Sequence, residues 1–183
     1  MNFTMQKAAT DSYIDYDFTS LISVEENKGY CDFLEKYILD GGYDKDPDHW
    51  PKYQTDTTRF FDYKELTNLK MSFLYSAFAF LGGPVNMVDL KSWALMSKPD
   101  MFRTLNGGWH HHDQYQEYGC ISVLSGIYYA RVNDHREGTR FREFVIDPSE
   151  RHWYIYPGTL EHTTNKVVGP EWRMLFVADL LYK

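Results

Sequence analysis

Residues 121–130 read ISVLSGIYYA and residues 173–182 read RMLFVADLLY, two apolar runs of strand length rich in β-branched and aromatic side chains. Between them lie TRFREFVI (139–146) and HWYIY (152–156); before them come VDLKSWALMS (88–97) and a strand or turn at 101–105. Gly, Pro, Asn and Asp separate these segments, and five or more strands so divided indicate an antiparallel sandwich or jelly roll. The first half of the chain reads differently. Ser23 followed by Glu26 is a capping-box pattern, and Val24, Tyr30, Phe33, Leu34, Tyr37 and Ile38 recur at helical spacing until Gly41-Gly42 ends the helix. A second helix is predicted over 63–81, stopped by Gly82-Gly83-Pro84. Residues 42–58 read as a surface loop and residues 1–20 as an arm over the fold. The expected architecture is therefore α+β, mainly β with N-terminal helices: one domain over 1–183, with residues 1–84 as a helical support and 85–183 as a jelly-roll catalytic core.

Composition narrows the class. A chain of 183 residues, 43% hydrophobic and 17% aromatic, can bury one sizeable core and is globular rather than disordered. Fifteen Tyr, twelve Phe and five Trp suit the thick layers of a sheet under covering helices. A formal charge of −7 argues against general affinity for nucleic acid or anionic membrane. Two cysteines far apart, Cys31 and Cys120, do not make a disulfide framework, so reduced thiols and a cytoplasmic location are expected. The start of the chain lacks the basic residues and apolar run of a signal peptide. The most apolar stretch, residues 71–81, is broken by Ser and Tyr and is too short to span a bilayer, so a soluble protein is expected.

The chemistry concentrates at GGWHHHD, residues 107–113. Alternate residues of an extended chain face one side, so His111 points with Asp113, and His110 with His112. Either pair can supply two ligands to one metal. A third must come from another strand, and His162 follows YPGTLE, whose Pro-Gly turn brings a side chain back over the sheet. Two imidazoles and one carboxylate on one face leave about three positions open, as non-haem Fe(II) oxygenases require. His49, His135 and His152 stand alone and read as structural or solvated residues. Arg173, eleven residues beyond His162, opens an otherwise apolar strand, and a guanidinium there needs an acidic partner. The distal carboxylate of 2-oxoglutarate is one such partner; an ion pair with Glu171 or Asp179 is the plainer one.

HHD at 111–113, SGIYYA at 125–130, YPGTLEHTTNKV at 156–167 and Arg173, in this order, resemble the 2-oxoglutarate/Fe(II) oxygenase superfamily. The resemblance is to the prolyl-hydroxylase-like branch and to bacterial and phage oxygenases, and it covers about residues 88–182. It implies a double-stranded β-helix core, Fe(II) held by His111, Asp113 and His162, and 2-oxoglutarate gripped by Arg173. It also implies that Tyr129, in the IYY strand, contacts that cosubstrate. The activity implied is O2-dependent hydroxylation of an unactivated C–H bond, in a prolyl or other peptidyl residue or a small molecule, with release of succinate and CO2. Trp109, Tyr115, Trp153 and Trp172 flank the motifs, where they either wall the site or pack the core.

Three departures bear on this. The triple His leaves the register open, since some relatives carry His-x-His; Asp113 favours 111/113 because it completes the preferred ligand set. Residues 114–119 lengthen the link to SGIYY beyond that of the bacterial and phage members. Leu175 stands where many members place Ser or Thr. Two other readings stay alongside: a cupin-type metalloprotein using His110, His112, Glu117 and His162 without 2-oxoglutarate, and a catalytically inactive jelly-roll binding module. The Pro-Gly-Thr-Leu-Glu-His spacing at 157–162 departs from the usual cupin pattern.

Overall fold

A computed structural model describes residues 6–7, 13–44, 53–99, 108–112 and 122–183. A seven-stranded antiparallel sheet dominates, in the order β1 (Gln6–Lys7), β2 (Ile14–Asp17), β7 (His152–Pro157), β5 (Ser122–Arg131), β9 (Arg173–Tyr182), β4 (Met87–Ser97) and β3 (Tyr53–Gln54). A two-stranded sheet of β6 (Thr139–Phe141) and β8 (His162–Thr164) accompanies it. Helices α1 (Val24–Leu39) and α2 (Thr67–Phe80) contact β5, β7 and β9. This is the α+β arrangement expected, with no described helix long and apolar enough to cross a membrane.

The central strands read as continuous apolar runs because both of their faces are covered. On one face Leu124, Tyr128, Trp153, Ile155, Phe176 and Leu180 pack with Leu34, Phe61 and Phe73 into the larger core. On the other, Leu95, Ile127, Tyr129, Tyr154, Tyr156, Leu175 and Val177 join Phe141 of the smaller sheet and Ile146 of the turn that follows it. Full burial of a side chain such as Leu34 or Phe73 stabilises by roughly 1.5–3 kcal/mol.

Local signals explain the helix limits. Ser23 Oγ accepts from the Glu26 N–H at 3.0 Å, the first half of the capping box. The Glu26 carboxylate turns away to accept from Tyr30 Oη and Asn68 Nδ2, which ties α1 to α2. At the other end Gly41 takes φ +91°, a left-handed turn that lets the Gly42 N–H reach the Tyr37 carbonyl. Helix α2 begins at Thr67, later than the 63–81 reading, because residues 60–62 and 64–66 form tighter 3-10 turns that bury Phe60, Phe61 and Leu66.

Three further expectations change. The arm contributes β2, paired to β7, and the loop at 42–58 contributes β3, paired to β4, so the first half of the chain supplies both edges of the large sheet. TRFREFVI is a turn-back rather than one strand: Phe141 N–H donates to Phe144 O and Ile146 N–H to Thr139 O. The reversal stacks Phe141 on Phe144 with centroids 4.5 Å apart and buries Ile146, whereas a straight strand would send Phe141 and Phe144 to opposite faces. The strand or turn expected at 101–105 lies outside the described residues.

Gly126 sits where α2 presses on the sheet. A Cβ there would lie 2.7 Å from the Phe73 ring and 2.8 Å from Ile155 Cδ1. Gly126→Ala is therefore expected to cost about 1–3 kcal/mol of stability by overpacking. In urea titration that appears as a lower midpoint with an unchanged slope; an unchanged midpoint would contradict it.

Candidate metal centre

The segment at 108–112 runs beside β8. His110 and His162 exchange backbone hydrogen bonds, 3.1 Å from His110 N to His162 O and 2.9 Å in return, and His112 N donates to Gly158 O at 2.7 Å. Residues directly opposite in an antiparallel pair project to one side, so His110 and His162 share a face and His112 joins them by alternation. The imidazoles of His110, His112 and His162 bring ligand nitrogens within 4.8 Å of one another.

The hydrogen bonds of this trio assign its tautomers. His110 Nδ1 lies 2.7 Å from Gly108 O, His162 Nδ1 lies 2.9 Å from Leu160 O, and His112 Nδ1 lies 2.8 Å from Asp179 Oδ1. Each oxygen accepts, so each Nδ1 carries a proton, and Nε2 is the ring nitrogen left to face a metal. Three imidazoles with Nδ1 anchored to oxygen form a donor set suited to a divalent transition metal. His112 and His162 are each 5% exposed, whereas His110 is exposed at the mouth. Phe141 and Tyr156 wall His162, at 5.5 and 5.3 Å between ring centroids. Burial pushes the Tyr156 phenol well above its ordinary range, which keeps it neutral.

The trio opens on a cavity of about 410 Å³ between the two sheets, lined also by Trp93, Ile127, Thr139, Thr164, Leu175, Val177 and Asp179. That volume suits a small metabolite with part of a larger substrate. Trp93, 5.5 Å from His112, had no distinguishing signal in the sequence. Asp179 did: it shares the alternation of Arg173, Leu175 and Val177, a carboxylate on the inner side of an apolar strand.

Of the metal set expected from sequence, His162 is in the cluster, His111 is not, and Asp113 lies outside the described residues, as do Glu117 and Tyr115. His111 is exposed at the rim, beside the Glu161 carboxylate. The register that converges is 110/112, because the pairing of 110 with 162 turns the intervening imidazole to the other side. Trp109, beside His110 in the chain, lies under the Arg142 guanidinium, 4.0 Å over its ring. Trp153 instead packs under the helices, its Nε1 donating to Ser72 Oγ, and Trp172 lies against Tyr53 and Lys98. His152 bridges Asp15 and Asp17, and His135 is exposed beside Asp134.

Arg173 is buried on the cavity side of β9, and burial pushes its guanidinium down to about 10, leaving it a cation at neutral pH. Its Nη1 donates to the carbonyls of Glu137 and Asn165, both at 2.8 Å. Tyr129, fully buried, donates its hydroxyl to Thr139 Oγ1 at 2.9 Å and accepts from Thr139 N–H at 2.7 Å. It therefore meets the cavity through Thr139.

Neither protein-family models nor curated protein sequences match the chain. Solved structures do. The non-haem α-ketoglutarate-dependent carbocyclase SnoK from nogalamycin biosynthesis aligns with a TM-score of 0.72 at 12% identity, over 100% of this chain and 87% of that one. A prolyl-4-hydroxylase of Pseudomonas putida gives 0.69 at 9% identity, over 97% and 96%. The viral collagen prolyl hydroxylase of Paramecium bursaria Chlorella virus-1, solved as its 2-oxoglutarate complex, gives 0.56 at 13% identity, over 96% and 100%. The chain thus has the fold of 2-oxoglutarate-dependent non-haem enzymes, prolyl hydroxylases among them.

Glu137 holds the loop that cradles Arg173. Burial pushes its carboxyl up, but N–H donors from Val168, Gly169 and Asn133 outweigh this and hold it below its ordinary 4.5. A depressed carboxyl adds stability above pH 4.5 that is lost as pH falls through the lower folded value. Glu137→Gln is expected to lose about 1–3 kcal/mol at neutral pH and to flatten the decline below pH 4.5. Urea unfolding across pH measures both, and an acid limb as steep as that of the unmodified chain would count against this assignment.

Proposed function

We propose that this chain is a non-haem Fe(II)- and 2-oxoglutarate-dependent dioxygenase whose metal is held by His110, His112 and His162. One observation carries the reading: three imidazoles, each anchored through Nδ1 to an oxygen, converge at the mouth of a cavity in a fold that such enzymes share. On this reading the two sheets that line the cavity belong to a double-stranded β-helix, or jelly roll, core. Bound here with 2-oxoglutarate and O2, Fe(II) would supply the oxidising chemistry that hydroxylates an unactivated C–H bond and releases succinate and CO2.

The chain's own residues divide the remaining work. Arg173 is the cation for the far carboxylate of 2-oxoglutarate, sitting two residues from Leu175, which lines the cavity. Tyr129 sets the Thr139 hydroxyl beside it. Trp93, Ile127 and Val177 keep the cavity wall apolar, which excludes water from the reacting centre. A peptidyl residue, as the prolyl hydroxylases of like fold suggest, or a small molecule, as the carbocyclase suggests, is the substrate class. The charge of −7 argues against nucleic acid.

A cupin-type metalloprotein without 2-oxoglutarate is the second reading, favoured by the same three imidazoles. Anaerobic addition of Fe(II) and 2-oxoglutarate separates the two: the oxygenase gives a weak visible charge-transfer band. Tight metal binding without the band moves the assignment to the cupin type, and no binding to an inactive module. His112→Ala is expected to weaken metal binding far more than His111→Ala does, with His110 and His162 leaving a residual affinity. The opposite ranking would restore the set His111, Asp113 and His162. Arg173→Leu is expected to raise the KM for 2-oxoglutarate roughly tenfold or more while sparing metal affinity.

A further inference from the structure

A buried carboxylate stands directly behind one of the three imidazoles. Asp179 is 1% exposed on the cavity side of β9, and its Oδ1 lies 2.8 Å from His112 Nδ1. Ser125, opposite it on β5 and fully buried, donates Oγ–H to the same oxygen at 2.7 Å, and its Oγ is 3.1 Å from His112 Nδ1. Burying a carboxylate is costly, and a hydroxyl and an imidazole N–H together meet that cost. The neighbours of Asp179 on its own face, Val177 and Leu181, are apolar, so packing alone gives no reason for a charge there. Among the described residues the converging cluster contains no carboxylate, whereas a two-His, one-carboxylate site carries that charge on the metal itself.

We propose that Asp179, supported by Ser125, is a positioning residue of the metal centre. It locks His112 in the tautomer and ring orientation that present Nε2 to the ion, and it supplies negative charge one imidazole removed. The inference rests on the assignment of His110, His112 and His162 as ligands. Carboxylate–imidazole–metal chains of this kind raise ligand basicity, and their loss typically weakens metal binding 10–100-fold.

The test is anaerobic titration of the metal-free chain with Co(II), whose visible bands report the coordination geometry without cosubstrate or turnover. Asp179→Ala is expected to weaken Co(II) binding roughly 10–100-fold and to shift those bands. Asp179→Asn keeps an acceptor but loses the charge, so it should fall between Asp179→Ala and the unmodified chain; it also carries the test if the alanine variant does not fold. In a His112→Ala background, Asp179→Ala should change affinity no further. Unmodified affinity and spectrum in both Asp179 variants would overturn the positioning role and leave the metal assignment standing. An equal loss in the His112→Ala background would overturn it too, since Asp179 would then act elsewhere. Failure of the unmodified chain to bind Co(II) would remove the metal assignment and this inference with it.

Discussion

Two backbone hydrogen bonds between His110 and His162 decide which side chains of the site can meet. They tie the segment after Gly108 to β8, and β8 pairs in turn with β6, where Phe141 lies opposite His162. Phe141, His162 and His110 therefore form a row across the small sheet. His112 reaches the row from two residues on, and His111 cannot. Shifting this pairing by one residue would exchange the inward and outward imidazoles together.

The large sheet uses the same two-residue period to separate stability from chemistry. On the helix side, Gly126 admits Phe73 into contact, and Asn27 of α1 donates to the Ala130 carbonyl while accepting from the Tyr128 hydroxyl. On the cavity side the same strands present Ser125, Ile127, Val177 and Asp179. Tyr128 and Tyr129, adjacent in sequence, consequently belong to different cores and make unrelated hydrogen bonds. A closely packed layer thus stands behind the candidate site.

Arg173 shows how a buried cation is kept. Two carbonyls receive its Nη1, and the loop that offers them is fixed by the Glu137 carboxylate through the N–H groups of Val168 and Gly169. Backbone dipoles around a guanidinium stabilise the charge while leaving it able to attract an anion.

The sequence by itself determined the class of the fold and the place of the chemistry. The capping box at Ser23, the glycines at 41 and 82, and the long apolar runs that became β4, β5, β7 and β9 are local signals, and local hydrogen bonding and periodicity enforce them. Concentrating three histidines at 110–112 and repeating one at 162 was equally plain. What only the tertiary structure decided is which imidazoles converge, that Asp179 rather than Arg173 meets them, and that the first half of the chain completes both edges of the sheet. Those outcomes hang on cross-strand register and on pairings more than fifty residues apart, such as Ser125 with Asp179 and Ile14 with Ile155. A run of identical side chains carries no periodic pattern to choose its own register; the partner strand chooses it, through hydrogen bonds that exist only once the chain has folded.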